Sequence, residues 1–146
     1  MKANTADVVF DYRGALSLAR QIWALADEVT HTAGTRRDLG AQARVNFTGR
    51  YGDELVSRLS VEATNLTQVA NGLRDDAAAV ARMWKDAMDE ENRRIYARHV
   101  DDIKGHRSVL ESIGDFFTGF HYPPEPQPVP VPHPPVFAPT AELVHY

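Results

Sequence analysis

The sequence predicts an all-α protein: an antiparallel helical hairpin of two long helices, then a short C-terminal amphipathic helix and an extended proline-rich tail. Three observations predict it. All nine prolines lie between Pro123 and Pro139, so the first 122 residues carry none. Through most of that proline-free stretch, apolar residues recur at spacings of three and four, the period of a helix face. The pattern breaks at Asn46-Phe47-Thr48-Gly49-Arg50-Tyr51-Gly52, where two glycines three residues apart permit a reversal of direction.

Asp11 follows the apolar run Val8-Val9-Phe10 and is placed as an N-cap. From there Tyr12, Ala15, Ala19, Ile22, Ala26, Val29 and Ala33 form one stripe, widened by Leu16, Trp23 and Leu25. The first helix is expected to run to about Arg44. A kink or restart near Gly34 is the alternative, since Thr35 and Asp38 resemble a capping box. At the turn, Phe47 and Tyr51 are expected to plug the end of the two-helix core, with Gly49 and Gly52 supplying the bend.

The second helix is expected from Asp53. Val56, Ala63, Ala70, Ala77 and Trp84 make one seven-residue series, and Leu59, Leu66, Leu73, Val80 and Ala87 make another, three residues behind the first. Two interleaved series of this kind are a heptad seam, and small residues in one row let a facing helix approach closely. Glu91 and Arg94 occupy the next slots, so the strict repeat stops near Ala87, while Ile95, Tyr96, His99, Val100 and Ile103 carry a thinner stripe to Lys104. Helices of roughly 34 and 52 residues, at ~1.5 Å per residue, leave the second overshooting the first by more than 20 Å.

Gly105 is expected to end or bend this helix, closing a hairpin unit over 1–104. A short amphipathic helix over 105–122 then gathers Val109, Leu110, Ile113, Phe116, Phe117 and Phe120 on one side, either folding back on the overshoot or meeting a partner. The tail, 123–146, is read as polyproline II, a passive spacer or a ligand for an aromatic groove. Its apolar end, Ala141 to Tyr146, hints at docking.

Composition narrows the function. A net charge of −4, with basic residues scattered, argues against a nucleic-acid surface. The absence of cysteine removes disulfides, thiolate metal sites and cysteine nucleophiles together. No apolar run approaches the ~18 residues of a membrane span, and no signal-like core follows Met1. Glu28-Val29-Thr30-His31 matches half of a bundle metal motif, and His99, Asp102 and His106 lie within two helical turns. Neither set is completed by a further ligand from another helix. No nucleophile motif or phosphate-cradling glycine loop is present, so neither cofactor nor catalysis is expected.

Laid out in this way, residues 10 to 90 resemble the WXG-type helical hairpin family, the early-secreted-antigen-like proteins of type VII secretion in actinobacteria and related bacteria. Phe47-Thr48-Gly49 stands where the family has Trp-X-Gly, after an alanine-rich approach (Ala41, Ala43) and before Asp53-Glu54-Leu55. The family's export signal places an acid four residues after a tyrosine; here Tyr96 is followed at that position by Val100, and the acids are Asp101 and Asp102. The resemblance implies a non-enzymatic interaction protein, a cytoplasmic location or export without a cleaved signal, and pairing into a four-helix bundle. The partner would be a second copy or a related hairpin, with a secretion component or toxin beyond it. An isolated hairpin has little interior, which points the same way. Candidate interface residues are Leu59, Leu66, Leu73, Val80, Trp84, Trp23, Phe116, Phe117 and Phe120, with the two tryptophans expected first as core anchors. Alternatives are a cytosolic bundle binding a small ligand or metal, and a membrane-surface adaptor using the Phe-rich helix, whose polar face lacks the usual Lys/Arg enrichment.

Overall fold

The computed structural model of the chain describes residues 6–111 and 121–146, with the backbone alone at 109–111. Two α-helices pack antiparallel: α1, Tyr12–Asn46, and α2, Arg50–Glu111. Among the described residues there is no strand.

Asp11 caps α1 as its residue type predicts, its carboxylate accepting from the Gly14 amide at 2.9 Å. The helix continues through Gly34, so Thr35 and Asp38 cap nothing. The bend is only three residues long, Phe47 to Gly49, and α2 starts at Arg50 rather than Asp53. Of the two glycines, only Gly49 takes a positive φ, +86°. Gly52 is already helical and serves a different purpose, because a Cβ there would sit 2.3 Å from the Phe47 carbonyl oxygen. That backbone-to-backbone approach leaves no hollow for an aromatic plug. Phe47 and Tyr51 accordingly face water, 60% and 80% exposed, contrary to the role expected of them.

What holds the helices together is a row of small residues on each. Ala19, Ala26, Ala33 and Gly40 on α1 are buried and recur every seven residues, and they meet Ala63, Ala70 and Ala77 of α2, also buried. Small side chains let the axes approach closely, and the heptad spacing keeps the two rows in register along the rod. Toward the N-terminus of α1 the small row gives way to large anchors, and Leu16, Trp84 and Met88 close a core with Ala19, Ala77 and Ala81.

α2 passes through Gly105 and Ser108 without interruption, so the predicted boundary at 104 falls inside a helix. The remainder of the expected third helix, including Phe116, Phe117 and Phe120, lies outside the described residues. At about 1.5 Å per residue, α2's 62 residues reach far beyond α1's 35. Extended chain from both ends of the protein covers the first part of the overshoot. Arg94 donates to the Ala6 carbonyl at 2.7 Å, Arg98 pairs with Asp7 at 2.9 Å, and Tyr146 stacks on His99 with ring centroids 4.7 Å apart.

The proline-rich segment is not a spacer. It lies along the hairpin as a strap, with Val129, Pro132 and Phe137 buried. Phe137 adopts φ +42°, a conformation costly for a bulky residue, and closes a turn by donating its amide to the His133 carbonyl at 2.8 Å. Complete burial of its ring offsets that cost.

Candidate functional site

Two faces of the hairpin flank the seam, and they differ. Helical spacing places Leu16 and Trp23 of α1 with Ala81 and Met88 of α2 on one side; Ile22 and Val29 with Leu66, Leu73 and Val80 lie on the other. An ion pair crosses between the helices on each side: Arg74 to Asp27 at 2.9 Å on the first, Arg36 to Glu62 on the second.

The first face carries the strap. Phe137 packs edge-on against Trp23, centroids 5.9 Å apart, and joins the core cluster of Leu16, Ala77, Ala81 and Trp84. The Arg74 guanidinium lies 5.6 Å from the centre of the Trp23 ring, so that ring is engaged on two sides. Extended chain has no ladder to satisfy its backbone, and α2 supplies the acceptors. Asp89 takes the Val129 amide at 2.7 Å, Glu91 the Val8 amide at 2.6 Å, and Asn92 the Val144 amide at 3.0 Å. Arg20 of α1 donates to the carbonyls of Val136 and Phe137 at 3.3 and 3.1 Å. Glu91 and Asn92 are buried, and Arg98 donates to Glu91 at 3.1 Å. Burial pushes the Asp89 carboxyl up, but hydrogen bonds from Lys85 and the Val129 amide outweigh it and hold the group below its ordinary value. Lys85 is correspondingly held above its own, first through its hydrogen bond to Asp89. Burial beside Glu91 raises the Tyr12 phenol, whose hydroxyl donates to the Ala87 carbonyl at 3.2 Å.

Beside the strap lies a groove of about 710 Å³ with a floor of Leu16, Trp84, Met88 and Leu143 and a rim that includes Arg13, Arg20 and Glu142.

On the second face several large apolar side chains stand open to water. Leu18 and Leu25 of α1 are each 48% exposed, and Val69 and Met83 of α2 are 53% and 58% exposed. They border the half-buried Leu59, Leu66, Leu73 and Val80, so apolar side chains line this side of the hairpin. Four of the predicted interface residues therefore share one accessible face. Trp84 does not belong with them: it is 2% exposed and sits in the chain's own core, because the α2 row containing it is the row that faces α1. Trp23 is half-buried under the strap.

Among the described residues no group of three His, Asp or Glu side chains is placed to hold a metal ion, and no helix is long and apolar enough to cross a membrane. Sequence reasoning missed Arg20, Asp89 and Asn92, while Phe137, with Tyr122 and Tyr146, is an aromatic that keeps a groove-ligand reading of the tail open. For Asp89 and Asn92 the available signal was the neighbouring heptad slots turning polar at Glu91 and Arg94; Arg20 had none. Comparison with protein-family models, with curated proteins and with solved structures finds no match.

Proposed function

We propose that this protein is a non-enzymatic interaction module that pairs through its open face with a second helical hairpin, a copy of itself or a related chain, into a four-helix bundle. The observation that carries this reading is the apolar face around Leu25, Leu66, Val69 and Met83, exposed or half-buried and, among the described residues, on the side of the seam away from the strap. A face of this kind in water is a liability, and a second hairpin presenting a matching stripe would bury it along its length. The resemblance of residues 10 to 90 to WXG-type hairpins supports the same partner chemistry and an association with type VII-like export, as cargo, chaperone or adaptor.

Sedimentation equilibrium tests the pairing. Wild-type chain is expected at twice its 16.3 kDa mass, alone or with the related hairpin in a one-to-one complex. Leu25→Asp with Val69→Asp is expected to return it to the monomer with unchanged helicity. A wild-type chain that stays monomeric across the micromolar range, and binds no second hairpin, refutes the proposal.

The groove beside the strap favours a second reading, a site for a small apolar molecule with an anionic group facing Arg13. Saturable quenching of tryptophan fluorescence by such a compound would support it, and its absence would remove it.

A further inference from the structure

We propose that the strap face is a recognition groove for a proline-rich segment carrying one aromatic anchor, and that the strap is its resident ligand, replaceable by such a segment supplied in trans. The contacts divide as they do in peptide recognition. Polar side chains of the hairpin read main chain: Asp89 takes an amide at 2.7 Å, Arg20 two carbonyls at 3.1 and 3.3 Å, and Asn92 an amide at 3.0 Å. Those contacts are indifferent to side-chain identity. Sequence is read by the pockets that bury Val129, Pro132 and Phe137, of which Phe137 is completely enclosed and edge-on to Trp23.

The composition of the strap suits this mode of binding. Prolines at 128, 130, 132, 134 and 135 leave few amides needing an acceptor, so a single carboxylate serves the stretch around Val129. Such a segment is pre-extended and loses little conformational freedom on docking. Its attachment to the rest of the protein is remote. α2 runs 19 residues past Asn92 to Glu111, about 29 Å at ~1.5 Å per residue, so the strap is joined to the hairpin far from where Asn92 holds it. The strap therefore behaves as a tethered ligand, favoured over a competitor by effective concentration and by nothing else that a separate peptide lacks.

Full-length Phe137→Ala protein, titrated with a fluorophore-labelled peptide of residues 126–146, tests the proposal. The variant is expected to bind the peptide saturably at one per chain, with a change in Trp23 emission. Wild-type protein is expected to bind it at least ten-fold more weakly, because its own strap holds the groove, and a peptide with the same Phe137→Ala change is expected not to bind. If the variant loses helicity, Val129→Ala with Pro132→Ala loosens the strap from its own side and is read identically. Helical variants that bind no peptide overturn the proposal, as does equal binding by variant and wild type. Hairpin pairing does not affect this readout, which reports the strap face alone.

Discussion

The same substitution, glycine to alanine, is expected to have opposite effects at two positions of one helix. At Gly72, in the interior of α2, an added Cβ meets nothing within 4 Å. Alanine there removes the entropic penalty of glycine and is expected to stabilise the fold by about 0.5–1 kcal/mol. At Gly52 the added Cβ would lie 2.3 Å from the Phe47 oxygen and 3.0 Å from its carbonyl carbon. These are backbone atoms and cannot rotate aside. Relief requires the turn to open, which strains the bonds from the Phe47 amide to the Ala43 carbonyl (2.8 Å) and from the Asp53 amide to the Gly49 carbonyl (3.1 Å). Overpacking costs about 1–3 kcal/mol and a weakened hydrogen bond about 0.5–1.5 more, against a helix gain of at most about 1. A net loss of about 1–3 kcal/mol follows. Urea titration followed by circular dichroism, at fixed protein concentration, measures both. At about 3 °C per kcal/mol for a chain of this length, melting temperatures should separate by about 5–12 °C. Equal signs for the two variants would refute the three-residue turn and the approach of Gly52 to Phe47.

Acid is expected to release the strap. Asp89 in the fold titrates below its ordinary 3.8, so its contribution is complete above that value and is lost as pH falls through the lower folded one. Tryptophan emission should hold steady from neutrality to about pH 4 and shift below it, and Asp89→Asn, which removes the titrating group, should flatten that part of the profile. Trp84→Ala, emptying a position 2% exposed, is expected to cost about 3–5 kcal/mol. Leu25→Ala, at a position 48% exposed, should cost under about 1 kcal/mol of chain stability yet weaken self-association; calorimetry and sedimentation separate the two effects.

The hairpin was legible because its determinants are local and periodic. Ala63, Ala70 and Ala77 announce a close helix–helix seam, and the facing helix is the chain's own α1. Trp84 shares their row and reads from the sequence as a core anchor or a partner contact alike, because periodicity shows which residues are buried together and does not show against what; the core reading is the one the structure bears out. The strap was less legible for a physical reason. Its contacts span 40 to 117 positions in sequence, and extended segments leave no periodic signature. The heptad stops near Ala87 because the neighbour changes from a helix, which satisfies its own backbone, to open chain, which does not. Asp89, Glu91 and Asn92 are the polar answer to that change.

That arrangement grades the molecule along its length. Around residues 87–99, α2 is gripped by the start of α1, by the N-terminal segment and by the strap, whereas at the turn, among the described residues, two helix ends meet alone, with Leu39, Val45, Phe47 and Tyr51 open to water. Amide protons near the bend should exchange with solvent first and those beneath the crossing segments last, so thermal fraying enters at the tip and travels toward the clasp. A rod fastened at one end in this way keeps that end's shape while its tip opens and closes.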